Sequence, residues 1–162
     1  MNYFELFELP FAPVVDKKLL SKRYILLQRA NHPDYHSNAN EVDQVDALEK
    51  SAVINKAYNT FKDEQATIAY FLELKGLVGA NEKYDLPSDF LMEMMEMNEE
   101  ILDLSKEEAL QQVKNYEAVL FQSVKAMLDD STTNFTPDQL ELLKAYYFKK
   151  KYLLRILDRL AD

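Results

Sequence analysis

Both glycines of the chain, Gly76 and Gly79, share one short stretch with Pro87, and apolar residues recur at threes and fours on either side of it. This break divides two groups of helical patterns. Leu, Glu, Lys, Ala and Gln are plentiful, and these residues favour helices intrinsically. The fold class expected is all-α: an N-terminal unit over residues 1–75, a linker over 76–87 and a C-terminal unit over 88–162.

In the first group, Asp16 can cap a helix that carries Leu19, Leu20, Tyr24 and Leu27 and must stop by Pro33, because proline disfavours helical backbone before it. A return helix over 42–62 carries Val45, Leu48, Val53, Ile54, Ala57, Tyr58 and Phe61, and makes a helical hairpin with the first. A shorter helix over 64–75 stops near Gly76. Beyond the linker, Ser88 can cap a helix to Leu104. Ser105 and Glu108 have capping-box spacing for a helix to about Asp129, and Thr136, Pro137 and Gln139 open a last helix to about Leu160. Three helices with short connections predict an antiparallel three-helix bundle.

With 48% apolar residues the chain can fill real cores. The absence of cysteine excludes disulfides, thiolate metal sites and thiol nucleophiles. The N-terminus shows no basic stretch leading into an apolar run, and no window has the length of a membrane span, so the cytoplasm is the expected compartment. A net charge of −9 argues against nucleic-acid binding, which draws its affinity from clustered cations. The charge is polarised, because 16–29 is basic and 82–108 strongly acidic, as suits two partners approaching two ends.

His32, Pro33 and Asp34 stand between the first two long helices. At about 100° per residue, Lys18, Lys22 and Arg29 form a basic stripe leading to this loop, opposite Leu20, Tyr24 and Leu27. A solvated surface is the plain alternative. Arg23 falls on the apolar side and must snorkel or pair.

Together these residues resemble the J-domain family. The match comprises Tyr3, Phe4 and Leu6 in an opening aromatic run, Tyr24 and Leu27 before the His-Pro-Asp loop, and Ile54, Asn55, Ala57 and Tyr58 after it. With the second helical group and the run from Phe90 to Glu93, the whole chain is similar to the HscB family, in which a J-domain precedes a three-helix bundle. The resemblance implies a co-chaperone of iron-sulfur cluster assembly that is not itself an enzyme and carries no cofactor. It also implies that His32, Pro33, Asp34, Lys22, Arg23 and Arg29 dock on an HscA-type, DnaK-class ATPase and stimulate it. The chain departs from common J-domain patterns at Asn31, Tyr35 and Thr67, which bears on the strength of that docking. The lack of a cysteine-rich N-terminal module resembles bacterial forms.

The helix after the linker has two apolar faces. Phe90, Met94, Met97, Ile101 and Leu104 make one, suited to a bundle core, whereas Leu91, Met92, Met95, Glu96 and Glu99 make another. The second face serves either domain packing or a partner. The resemblance implies that this second face, with Tyr152 as the matching aromatic, holds the iron-sulfur cluster scaffold protein. Lys149, Lys150, Lys151, Arg155 and Arg159 read as a solvated face, with attraction to an acidic helix as the alternative.

His32, Asp34 and His36 could be drawn as a metal site, but Pro33 prevents the regular helix that would align them and no further ligand of that kind exists. No Gly-x-Ser-x-Gly turn or glycine-rich phosphate loop is present. The remaining alternatives are a general J-protein with other clients and a helical scaffolding protein.

Overall fold

The structure, a computed structural model, describes residues 1–31, 34, 40–79, 81–129 and 134–162. These divide into two units, Met1–Leu74 and Lys75–Asp162. The described residues form α1 (Tyr3–Leu6), α2 (Lys17–Asn31), α3 (Glu41–Lys62), α4 (Glu64–Leu74), α5 (Ser88–Ile101), α6 (Lys106–Gln122) and α7 (Pro137–Ala161).

Helix ends in the first unit follow local chemistry. Asp16 Oδ1 accepts hydrogen bonds from the backbone N–H groups of Lys18, at 2.9 Å, and Leu19, at 3.3 Å, and so caps α2 as expected. Asn40 caps α3 by accepting from Asp43 N, with Glu41 and Asp43 favourably placed against the positive end of the helix dipole. Asp63 leaves the helical region at φ −98°, ψ 121°, which ends α3, and its Oδ1 then accepts from Ala66 N to start α4. Gly76, at φ 74°, takes the left-handed conformation that suits glycine just past a helix end.

Antiparallel packing of α2 on α3 shows in its cross-links. Lys17 Nζ donates to Phe61 O (2.7 Å) and Lys62 O (2.9 Å), while Gln28, near the other end of α2, reaches Asn55 and Ser51. Phe61 is the hub of an aromatic core. Its ring lies 4.9 Å from Phe4 and 5.8 Å from Phe7, and Phe11 joins Phe4 to Phe71. The opening aromatic run thereby earns a structure that its sequence pattern did not predict. It forms the single turn α1, capped by Asn2 and tied down where Tyr3 N donates to the Tyr70 hydroxyl.

The buried face of α3 differs from the expected one. Val45, Leu48 and Val53 are 53%, 59% and 47% exposed, whereas Ala47, Ser51, Ile54, Ala57 and Phe61 are buried. The inward stripe is mostly small, and small side chains let two helix backbones approach closely. The resulting gain in contact outweighs burying larger residues one position away. Ser51 is satisfied there by donating to Gln28 Oε1 at 3.1 Å.

In the second unit, Tyr116 of α6 donates to Glu93 and Gln112 to Glu100 of α5, so residue numbers fall on one helix as they rise on the other. Likewise Lys106 reaches Ala161 O and Phe121 meets Tyr146. The three helices are therefore an antiparallel bundle. Its core contains Phe90, Met94, Met97, Val113, Leu153 and Ile156, with Leu86, Ile101, Tyr116 and Tyr152 packed against them.

Several expected ends shift. Pro87, not Ser88, occupies the cap position of α5, and it provides no side-chain hydrogen bond. Ile101 ends α5 because the next N–H groups, from Leu102 to Leu104, bond three residues back in a tighter turn. Gln122 ends α6 well before Asp129. There Ser123 Oγ donates to Leu120 O at 2.8 Å, competing with the helical ladder, and Val124 N bonds three residues back. Ser105 accepts from Glu108 N, and the full reciprocal capping box forms between Thr136 and Gln139.

Part of the 76–87 stretch is packed. The Tyr84 ring stacks on Phe148 at 4.5 Å with 7° between planes, Glu82 pairs with Lys144 at 3.2 Å, and Leu86 joins the core. The basic run on α7 is divided. Lys151, Arg155 and Arg159 are exposed, while Lys150 lies half-buried, 3.7 Å from Glu117 of α6.

Candidate functional site

The polar contacts between α2 and α3 set the frame for the first candidate surface. Asn55 Oδ1 accepts from both the Tyr24 hydroxyl and Gln28 Nε2, and Ser51 donates to Gln28 in turn. The Tyr24 and Tyr58 rings meet beside this network at 3.9 Å. Directional bonds of this kind hold one register between two helices more strictly than apolar contact alone. At the facing ends of the two helices, Asn31 Nδ2 donates to Leu27 O and Asn40 caps α3.

On this frame Lys18, Lys22 and Arg29 are exposed along α2, and Asp34 is exposed beyond its end. His32 and Pro33 lie outside the described residues, as do Tyr35 and His36. Arg23 is set apart from the other cations. Its side chain is half-buried, its Nη1 pairs with Glu8 Oε2 at 3.1 Å, and its Nε is buried without a hydrogen-bond partner among the described residues. Glu8 stands at φ 52°, just after α1. A guanidinium held by one contact keeps donors directed elsewhere, so Arg23 is a fixed cation rather than a freely swinging one. Lys17 donates to two carbonyls at the end of α3, where a cation opposes the negative end of the helix dipole. Thr67 is buried and lies 2.8 Å from Asp63 O and 3.1 Å from Thr60 O, a tie between α3 and α4 that an arginine could not make in that space.

The second candidate surface lies on α5. Leu91, Met92 and Met95 are 39%, 62% and 64% exposed, and Glu96 and Glu99 stand exposed with them. Neither of these two carboxylates makes an ion pair among the described residues. Tyr152 approaches α5 from α7, its ring edge-on to Phe90 at 5.8 Å, and Lys149 Nζ lies 5.6 Å from the centre of the same Phe90 ring. Tyr152 is half-buried and also lines a cleft of about 260 Å³ with Tyr84, Phe148 and Arg155. The structure therefore joins Tyr152 to this helix through Phe90, the neighbour of Leu91.

A third strip of α5 is structural. Glu93 and Glu100 face α6 and accept from Tyr116 and Gln112 across a cleft of about 340 Å³. Burial first, and the adjoining Glu93 carboxylate second, push the Tyr116 phenol well above its usual range. Among the described residues no group of three or more His, Asp and Glu is placed to hold a metal ion, and no helix is long and apolar enough to cross a membrane.

Two participants stand outside the residues expected from sequence, Glu8 as the partner of Arg23 and Gln28 as the bridge between Ser51 and Asn55. Neither has a local signal, because each pairing depends on how distant segments are brought together.

Comparison with known proteins places the chain in a family. Residues 86–161 match the family described as the HSCB C-terminal oligomerisation domain. A co-chaperone protein HscB homolog of Shewanella baltica strain OS195 is 32% identical over 174 residues, covering all of both chains. One from Vibrio cholerae serotype O1 strain M66-2 is 43% identical over 102 residues, covering 62% of this chain and 60% of that relative. The crystal structure of human co-chaperone protein HscB aligns with 99% of this chain and 81% of its own at a TM-score of 0.80 and 26% identity. Chaperone HscB from Vibrio cholerae aligns with 99% of both chains at a TM-score of 0.64 and 34% identity. With an aromatic-cored helical hairpin, an antiparallel bundle and a relative matched along its whole length, the chain belongs to the HscB co-chaperone family.

Proposed function

We propose that this chain binds an iron-sulfur cluster scaffold protein through α5, delivers it to an HscA-type, DnaK-class chaperone in the cytoplasm, and stimulates that chaperone's ATPase. The N-terminal unit, residues 1–75, acts as the J-domain, and the bundle over 88–162 holds the client. His32, Pro33, Asp34, Lys22, Arg23 and Arg29 contact the chaperone. Leu91, Met92, Met95, Glu96, Glu99 and Tyr152 contact the scaffold. Catalysis stays in the partner, and this chain supplies binding energy alone.

The observation that supports this reading best is the division of α5. Its core face is complete with Phe90, Met94 and Met97 buried, so the exposed Leu91, Met92 and Met95 are surplus to the bundle. Exposed apolar side chains rimmed by carboxylates that make no ion pair among the described residues suit an adaptable protein contact. The exposed cations of α2 support the other contact in the same way, since an acidic surface on the chaperone would be steered toward them.

Steady-state ATP hydrolysis by the cognate chaperone, with and without the scaffold, tests the reading. The parent protein is expected to raise the rate, further with scaffold present, and His32→Gln is expected to abolish the effect while leaving the helical spectrum intact. Equal rates from parent and variant overturn it. Stimulation that ignores the scaffold points instead to a general J-protein.

A further inference from the structure

Four of the six methionines lie on α5, and they divide sharply. Met94 and Met97 are buried in the bundle core and Met127 is buried beyond α6, whereas Met92 and Met95 are 62% and 64% exposed. The remaining one, Met1, is the most exposed of all. A thioether is oxidised when a peroxide reaches its sulfur, so exposure decides which methionines react.

We propose that Met92 and Met95 are an oxidant-sensitive modification site, at which a peroxide converts the client-binding face to a polar one and releases the client. The proposal rests on the client-binding reading of α5. In each step a sulfur lone pair attacks the nearer peroxide oxygen. An S–O bond forms as the O–O bond breaks, the departing oxygen takes the proton that the transferred oxygen gives up, and water or an alcohol leaves. The sulfur is oxidised by two electrons to the sulfoxide, and the peroxide is reduced by two. No other oxidant is required.

The consequence follows from solvation. A sulfoxide oxygen is a strong hydrogen-bond acceptor that water satisfies while the face is open. Closing an apolar partner over it removes that water, and an unsatisfied polar group carries a cost of the order that separates strong from weak binding. Met92 and Met95 are three residues apart and so are neighbours on the helix surface, within the footprint of one partner. Leu91 beside them cannot be oxidised, so binding is weakened rather than erased. Buried Met94 and Met97 keep the bundle folded throughout, and the change is reversible by methionine sulfoxide reductases.

The full-length protein, treated with graded hydrogen peroxide, provides the test. Peptide mass spectrometry is expected to show Met92 and Met95 gaining oxygen alongside Met1 and ahead of Met94, Met97 and Met127, with circular dichroism unchanged. Calorimetric affinity for the scaffold is expected to fall about tenfold and to recover after reductase treatment. The double variant Met92→Leu, Met95→Leu removes both thioethers, so its scaffold affinity, whatever the untreated value, should not change on peroxide treatment although its Met1 still oxidises. Oxidation of Met92 and Met95 no faster than of the buried three overturns the proposal, as does equal loss of affinity in the leucine variant. Failure of the untreated protein to bind the scaffold overturns the client-binding reading and the switch with it, and is distinguished by appearing before any peroxide is added.

Discussion

Two faces of one helix, α5, carry the same kinds of side chain to opposite ends. Phe90, Met94 and Met97 are buried against α6 and α7, while Leu91, Met92 and Met95 stand in solvent. Residue type does not separate them, because methionine appears in both sets. What separates them is placement: the core face packs with Val113, Leu153 and Ile156, and the opposite face stands outside that core.

The contrast is broken most severely from the core side. Met94→Ala is expected to cost about 2–5 kcal/mol of stability, because its side chain is completely buried and the cavity cannot be refilled without moving Val113 or Leu153. Urea denaturation followed by circular dichroism measures it. A cost near that of a surface substitution would mean that the two faces are not distinct in kind.

Changing Leu91, Met92 and Met95 together to serine sharpens the same contrast from the other side. Scaffold affinity is expected to fall at least about tenfold, roughly 1.4 kcal/mol, while the denaturation midpoint moves little, since exposed positions usually contribute within about 0.5 kcal/mol each. Calorimetry and the same urea titration give both values. A collapse of stability would identify the face as packing.

The smallest effect belongs to the strip between the two faces, where Tyr116 donates to Glu93. Tyr116→Phe removes one partly exposed hydrogen bond, worth about 1 kcal/mol at neutral pH. Its signature is the alkaline limb. The Tyr116 phenol is held above its unfolded value, so its ionisation is withheld in the folded state while the unfolded chain ionises from about pH 10. Stability from this group is therefore fully present below that pH and is lost as pH rises through it toward the folded value. The variant should lose less stability than the parent between about pH 9 and 11. Parallel curves would show that Glu93 and burial leave the phenol unperturbed.

Much of the fold was legible because its signals are local. Asp16 caps α2, Thr136 and Gln139 form a reciprocal box with Pro137 in the first helical position, and Gly76 stands just past α4, each within a few residues of the group it satisfies. The two faces of α5 were legible for the same reason, since angle around one helix depends only on spacing. The ends of α5 and α6 were not, because Ile101 and Gln122 yield to tighter turns and a serine side chain that compete closely with the helix.

By itself the sequence determined an all-helical chain, two long helices flanking the His32, Pro33, Asp34 tripeptide, a basic stripe and a doubly apolar α5. Each of these depends on spacing along one segment. Only the tertiary structure decided that α3 turns Ala47 and Ser51 inward rather than Val45 and Leu48, that Arg23 meets Glu8, and that Gln28 bridges Ser51 and Asn55. These are contests between faces of similar apolarity or pairings across long separations. They are settled by how closely two backbones can approach, which no single segment encodes.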